Sequence, residues 1–117
     1  MTEEQFDQWV VALRSGKYPQ QKHALHGPNG FCCLGVLAEI SNVTTKIQED
    51  DRYMFFFGPE YGDYESRTSL PEGYLGIPYS EQGSLMELND QMGYTFGEIA
   101  DYLEANKEEF INGDKGV

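Results

Sequence analysis

Two histidines and two cysteines are the residues of this chain whose chemistry is easiest to name. His23, His26, Cys32 and Cys33 lie close together, and imidazole and thiolate are the ligands that zinc prefers. Adjacent cysteines seldom both reach one tetrahedral ion, however, and no standard zinc module has this spacing. We therefore predict no metal and no cofactor, with two exposed histidines beside buried thiols.

The cysteines could instead supply a nucleophile, because the start of a helix lowers the pKa of a nearby thiol. Nucleophilic catalysis also needs a positioned base, and no residue is identifiable that would orient either histidine. A disulfide between neighbouring cysteines would need a strained local loop. The apolar neighbours Phe31 and Leu34 favour two reduced, buried thiols, so we predict a protein that is not an enzyme.

A second group of side chains could hold an anion. Hydrogen-bond donors are concentrated upstream of the cysteines, and a helix that begins near Phe31 would add free backbone amides. Such a site would suit a small anionic ligand such as a nucleotide signal, and a tyrosine is available to stack on it. The alternative is solvated surface after a helix. The candidate ligand-binding residues are Lys17, Tyr18, Gln20, Lys22, His23 and His26.

The charge of the chain is strongly negative and unevenly distributed. The net charge is −12, from 20 acidic and 8 basic residues. Residues 1–46 hold four of each, so residues 47–117 carry the whole excess. A field of this sign repels DNA and membrane surfaces and favours basic protein partners, although ordinary solubility would explain it equally. The candidate protein-contact residues are Glu49, Asp50, Asp51, Glu60, Asp63 and Glu65.

The length of 117 residues predicts one domain over residues 1–117, with a frayed tail at 112–117. No apolar stretch reaches the roughly 18 residues that a membrane span requires. The acidic start, with Glu3 and Glu4, is unlike a basic signal peptide. We therefore expect a cytoplasmic protein.

The element that must position these residues is an apolar run over residues 30–40. Cys33, Val36, Leu37 and Ile40 follow helical spacing, which favours a buried helix over a buried strand. Before it, a capping box that starts at Thr2 predicts a helix that ends near residue 16. Its buried stripe would be Phe6, Trp9, Val10 and Leu13. The Gly-Pro-Asn-Gly turn at residues 27–30 then leads into the central helix.

Residues 43–57 predict a β-hairpin whose turn is the acidic segment 49–51. Another strand is possible within residues 64–70, in an otherwise loop-like segment held by tyrosines. Capping boxes that start at Ser84 and Thr95 predict two C-terminal helices, and Ser80 offers an alternative start for the first of them one turn earlier. Its apolar face would be Leu85, Leu88 and Met92. Asn89 and Asp90 would bond the amides of the link at 93–95. The resulting fold is α+β, a single domain with three to four helices around a buried central helix and a small antiparallel sheet.

Three stretches together resemble a set of small accessory proteins of tailed phages and bacteria. They are residues 9–20, the Gly-Phe-Cys-Cys-Leu-Gly-Val-Leu segment at 30–37, and residues 88–104 with Leu-Asn-Asp followed by Thr-Phe-Gly-Glu-Ile-Ala-Asp-Tyr-Leu-Glu. The resemblance implies a phage accessory protein and identifies no catalytic residue. Our leading hypothesis is a non-enzymatic protein that binds and modulates a host protein through an acidic surface. The alternative is a small-ligand, nucleotide-signal binder that uses residues 17–33.

Overall fold

A computed structural model of the chain describes residues 1–47 and 53–111. Its helices are α1 (Glu3–Arg14), α2 (Cys33–Ile40), α3 (Tyr79–Asp90), α4 (Phe96–Ala105) and α5 (Lys107–Ile111), with a 3-10 turn at Pro59–Tyr61. Its strands are β1 (His26–Gly27), β2 (Gly30–Phe31), β3 (Thr44–Ile47), β4 (Tyr53–Phe56) and β5 (Glu65–Ser66). The predicted α+β fold is confirmed. The tail at 112–117 lies outside the described residues, and no helix within them is long and apolar enough to cross a membrane.

Helix α1 forms as its capping box predicts. The Thr2 hydroxyl accepts a hydrogen bond from the Gln5 amide at 3.1 Å, and the Gln5 side chain accepts one from the Thr2 amide at 2.8 Å. Gly16, with φ of 77°, follows the end of the helix. The buried Trp9 indole donates to the carbonyl of Cys33 at 3.0 Å, which joins α1 to the central helix.

The central apolar run is a helix, and residues 33–38 are all buried. Cys32 is the N-cap, so the helix begins after Phe31, which belongs to β2. Gly35 allows the loop before β1 to approach closely, because a Cβ at Gly35 would lie 1.7 Å from the Leu25 carbonyl oxygen. A glycine is therefore required here by packing.

Strands β3, β4 and β5 form an antiparallel sheet in that order, and β1 and β2 form a separate hairpin. The predicted 43–57 hairpin is confirmed, with Thr44 opposite Phe56 and Ile47 opposite Tyr53. Its predicted turn at residues 49–51 lies outside the described residues. The Leu25 amide donates to the Arg67 carbonyl at 2.8 Å, which attaches the histidine-containing loop to the chain after β5.

The third helix begins near the earlier of its two predicted starts. Helix α3 begins at Tyr79, next to Ser80, with Pro78 as its N-cap, so the predicted start at Ser84 is wrong. The Ser84 hydroxyl donates to the Ser80 carbonyl at 3.3 Å, because a serine inside a helix can bond the carbonyl four residues back. A pattern that resembles a capping box therefore lies within the helix.

The buried face of α3 also differs from the prediction. Met92, expected on the apolar face, lies beyond the helix and is 56% exposed. The buried positions belong to Gln82, Leu85 and Asn89. Gln82 accepts from the Leu70 amide at 3.0 Å and donates to the Pro71 carbonyl at 3.1 Å. A buried amide that binds the backbone at residues 70–71 therefore occupies a position where an apolar side chain would be expected.

The capping box at Thr95 is confirmed. The Thr95 hydroxyl accepts from the Glu98 amide at 3.1 Å, and the Glu98 side chain accepts from the Thr95 amide at 2.9 Å. The predicted final helix is divided at Asn106 into α4 and α5. Phe110 of α5 is buried and packs against Phe6 of α1, so the C-terminal helices close the core over the first helix.

Candidate functional site

The six predicted ligand-binding residues do not form one site. Lys17 and Tyr18 lie in a shallow depression beside α1, together with Glu3, Glu4 and Asp7. These carboxylates would repel an anion, so the prediction that Lys17 and Tyr18 bind the ligand together with the histidines is not supported by their placement. The Tyr18 ring instead packs edge-on against Phe31.

Gln20 has a structural role that the sequence did not indicate. Its side-chain amide donates to the Asn89 side chain at 2.9 Å and to the Tyr94 carbonyl at 2.7 Å. Asn89 in turn donates to the Gln21 carbonyl at 3.0 Å. The predicted bonds from Asn89 to the link at 93–95 are therefore wrong, because the buried Asn89 faces the loop before β1.

The remaining three candidates share a cleft of about 320 Å³, which we call the His26 cleft. It lies between the loop at residues 21–28, Tyr53 at the start of β4, and Arg67 and Thr68 after β5. The candidates that line it are Lys22, His23 and His26.

His26 lies in the middle of a stack of rings. Its imidazole is parallel to Phe31, with ring centroids 3.8 Å apart, and to Tyr53 at 3.9 Å. Because His26 and Phe31 are paired across the β1–β2 hairpin, their side chains lie on the same face. Burial lowers the pKa of His26 below its ordinary value, and only the charge of Glu39 opposes this. The prediction that His26 is exposed is wrong, since a half-buried neutral ring occupies the stack.

Two residues that line the His26 cleft each contain a buried nitrogen. These atoms are His26 Nδ1 and Arg67 Nε, and neither has a hydrogen-bond partner among the described residues. An unsatisfied buried polar group costs about 1–3 kcal/mol, and almost all such groups in folded proteins are paired. Arg67 was missed by sequence reasoning because it lies in the segment interpreted as a loop, 41 positions from His26 along the chain.

His23 lies at the rim of the cleft in an unusual backbone conformation. Its φ is 68°, which is uncommon for a residue other than glycine. The Asp90 carboxylate holds it there by accepting from the His23 amide at 3.0 Å. The second Asp90 oxygen is 3.7 Å from the imidazole Nδ1, and the ring itself is mostly exposed, as predicted. The end of α3 therefore sets the shape of the cleft-forming loop.

Residues 1–72 match a protein family described as a domain of unknown function, DUF8296. The chain belongs to this family. Neither the curated proteins nor the solved structures compared with the chain contain a match. Every residue that lines the His26 cleft lies inside the matched region, whereas Asn89 and Asp90, which hold its loop, lie outside it.

In this member of the family the cysteines belong to the core. Both are free and buried, as predicted. Burial raises the pKa of Cys32 to about 12 and holds the pKa of Cys33 well above its ordinary value. Both thiols are therefore protonated at neutral pH. Across residues 1–47 and 53–111, no group of three or more His, Cys, Asp or Glu side chains is arranged to hold a metal ion.

The predicted protein-contact acids divide into two sets. Glu49, Asp50 and Asp51 lie outside the described residues. Glu60, Asp63 and Glu65 are exposed in and after the connection from β4 to β5, and the ion pairs found in the described part of the chain involve none of them. Asp63 has a φ of 55°.

Glu60 lines a second cleft of about 460 Å³, which we call the Tyr61 cleft. It lies between α1, the C-terminal end of α2, the chain that leaves β4, and residues 74–75. Four aromatic residues line it, namely Phe56, Phe57, Tyr61 and Tyr74.

Proposed function

We propose that the protein binds a small anionic ligand of the nucleotide class in the His26 cleft, without catalysing a reaction on it. The observation that carries the proposal is the pair of buried nitrogens, His26 Nδ1 and Arg67 Nε, that have no hydrogen-bond partner among the described residues. The two residues that contain these atoms line the same cleft as Lys22, so unmet hydrogen bonds and positive charge occur in one part of the molecule.

The side chains of the cleft suit a phosphate or a carboxylate. A guanidinium offers several donors in a fixed plane that matches these anions, and a lysine adds a point charge. The net charge of −12 opposes the approach of an anion from a distance. Affinity would therefore depend on short hydrogen bonds to Arg67 and Lys22, and little on steering by the whole protein.

The aromatic stack supports a ligand that also carries a flat ring. One face of Tyr53 is covered by His26, and Tyr53 is half-buried at the edge of the cleft. A base placed on Tyr53 would extend the stack by one ring. The cleft volume of about 320 Å³ is at the lower end of the range for small-molecule sites, which favours a mononucleotide over a larger ligand.

A thermal-shift panel of nucleoside mono-, di- and triphosphates, with inorganic phosphate and the free nucleosides, tests this proposal. A true ligand stabilises the folded state by RT ln(1 + [L]/Kd), about 2.7 kcal/mol at roughly 100 times Kd. Arg67→Gln and Lys22→Ala should each weaken binding about tenfold or more, because each removes a charged hydrogen bond.

Lys17→Ala is the matched control, since it removes the same charge from a different depression and should leave the affinity unchanged. The proposal fails if no anion in the panel raises Tm. It also fails if Lys17→Ala weakens binding as much as Lys22→Ala does, because a general charge effect would then explain the result.

A second function is favoured by the exposed acids of the β4–β5 connection. We infer that a phage-type accessory protein of this kind, acting in the cytoplasm, would modulate a basic host protein through Glu60, Asp63 and Glu65. Supporting this, the three carboxylates are exposed and make no ion pair with the described residues. Exposed unpaired charge of this sort mainly accelerates association with a partner of opposite charge.

Capture from host lysate at increasing salt tests the second function. The complex should weaken steeply with ionic strength, and the double variant Asp63→Lys, Glu65→Lys should slow association several-fold. Glu87→Lys, which reverses an exposed charge at the end of α3, is the control and should have little effect. A captured protein whose binding is insensitive to salt and to these reversals would argue against an acidic contact surface.

A further inference from the structure

Three of the four aromatic rings that line the Tyr61 cleft, those of Phe57, Tyr61 and Tyr74, are steeply inclined to one another. The centroids of Phe57 and Tyr74 are 5.3 Å apart at 73°, those of Tyr61 and Tyr74 are 5.2 Å apart at 52°, and those of Phe57 and Tyr61 are 6.3 Å apart at 81°. Rings inclined in this way form adjoining walls instead of one flat platform. A small group in the cleft would contact mainly Tyr61, because Phe57 and Tyr74 are each only 5% exposed.

The charge of the Tyr61 cleft is negative. Glu60 lines it, and no lysine or arginine of the described residues does so. The Glu60 carboxylate lies close over Gly58, since a Cβ there would be 3.2 Å from Glu60 Oε1. Burial raises the pKa of Tyr74, and the nearby charge of Glu60 contributes to this rise. Glu60 and these aromatic residues therefore line the same cleft.

The backbone adds to this negative potential. The cleft includes Ile40 and Ser41 at the C-terminal end of α2, which is the negative end of the helix dipole. The Gln5 and Gln8 side chains of α1 line the opposite side, and they are uncharged. An anion would meet only unfavourable charge in this cleft.

We propose that the Tyr61 cleft binds an organic cation, either an ammonium or a guanidinium group, between its aromatic walls and the Glu60 carboxylate. The faces of aromatic rings attract cations, most strongly where water is excluded, and the carboxylate supplies the opposite charge. This inference does not rest on the anion site, because the two clefts share no lining residue. It also gives Glu60 a defined role beyond a general acidic surface.

The cation has two possible sources with the same chemistry. It is either a free small molecule with a quaternary or primary amine, or a lysine or arginine side chain of a basic protein. Both would use the same contacts to Tyr61 and Glu60.

Calorimetric and NMR titration with choline tests the proposal directly. The neutral isostere 3,3-dimethylbutan-1-ol has the same shape without the charge, so choline should bind about tenfold tighter. Tyr61→Leu and Glu60→Gln should each weaken choline binding by about five- to tenfold, and added salt should weaken it in the wild type.

Glu87→Gln is the matched control for Glu60→Gln. It makes the same substitution at an exposed side chain of α3 that does not line the cleft. It should leave choline affinity within about twofold of the wild type. The Tm of both variants should stay close to that of the wild type, since Glu60 and Glu87 are exposed.

Capped lysine and a capped trilysine peptide distinguish the two sources. Trilysine binding more than tenfold tighter than single lysine, with the increase lost in Glu60→Gln, assigns the site to a partner's side chain. Choline or capped lysine binding as tightly as trilysine assigns it to a free cation. The proposal is overturned if no cation binds saturably, if the isostere binds as well as choline, or if Glu87→Gln and Glu60→Gln have equal effects.

Discussion

The two clefts lie at opposite ends of strand β4 and are built from similar rings with opposite charge. Tyr53, the first residue of β4, stacks on His26 in one cleft. Phe57, just beyond the last residue of β4, packs edge-on against Tyr74 in the other. The His26 cleft adds cationic side chains and unpaired nitrogens to its rings, whereas the Tyr61 cleft adds a carboxylate.

This difference teaches that the net charge of the chain does not set the sign of a local site. Screening limits the reach of exposed charges to about 10 Å at moderate salt, and each cleft responds to the groups that line it. The clefts also differ in support. Buried amide hydrogen bonds from Asn89 hold the His26 loop, while ring packing forms the wall of the Tyr61 cleft.

The largest loss of stability is expected from Gly35→Ala. This substitution should disturb both the core and the loop that forms the His26 cleft. A new Cβ would lie 1.7 Å from the Leu25 carbonyl oxygen, and Leu25 is fully buried and bonded to Arg67 through its amide. We expect a loss of about 3–5 kcal/mol, typical of severe overpacking against backbone. Urea unfolding followed by circular dichroism measures it.

Gly83→Ala is the matched control. Gly83 lies inside α3 with nothing within 4 Å of a new Cβ, so alanine should stabilise the protein by about 0.5–1 kcal/mol. If both substitutions had the same small effect, the close approach of Leu25 to the central helix would not constrain the fold.

Asn89→Ala should affect the His26 cleft and leave the Tyr61 cleft intact. It removes one acceptor and two donated hydrogen bonds at a buried position, so we expect a loss of about 2–4 kcal/mol. Amide exchange should accelerate first at His23, in the loop that α3 holds. Choline binding in the Tyr61 cleft should survive wherever the protein is still folded.

Gln82→Ala provides the comparison for Asn89→Ala. Gln82 is the other buried amide of α3, but it accepts from the Leu70 amide, so exchange should accelerate at Leu70 before His23. Two-dimensional NMR exchange on both variants measures this. Identical patterns of exchange would show that α3 supports one cooperative unit, and that the clefts are not held independently.

The sequence predicted best those features that depend on near neighbours. The capping boxes at Thr2 and Thr95 are confirmed because each needs only residues one turn apart. The stripe of Phe6, Trp9 and Leu13 is buried because helical spacing alone places these side chains on one face. The 43–57 hairpin followed from alternation and β-propensity in the same way.

The features that shape the His26 cleft depend on residues far apart in the chain. The Gln20 side chain donates a hydrogen bond to Asn89, 69 positions away. Arg67 is held beside the cleft because its carbonyl accepts a hydrogen bond from the Leu25 amide. No local pattern marks such pairs, because an amide side chain on a helix is usually solvated. Lys22, His23 and His26 were found from their donor chemistry, whereas Arg67, Tyr53 and Asp90 needed the fold.

His26→Phe should have the smallest effect on stability at neutral pH and the most informative one on acidification. Phenylalanine keeps a ring between Phe31 and Tyr53 and removes the Nδ1 atom that has no partner among the described residues, so stability near pH 7.5 should be equal or slightly higher.

Burial lowers the pKa of His26 in the folded state, whereas the unfolded chain has the ordinary value of about 6.5. The unfolded state therefore binds the proton more readily. The stability that His26 contributes is fully present above about pH 6.5 and is lost as the pH falls through the lower folded pKa.

The measurement compares two proteins that both carry His23→Asn, so that no other histidine titrates. As the pH is lowered from 7.5 to 5, Tm should fall more in the protein that retains His26 than in the one that carries His26→Phe. Parallel curves of Tm against pH would show that the stacked ring takes up its proton as easily as in the unfolded chain. A neutral His26 would then not be one of the features that distinguish the two clefts.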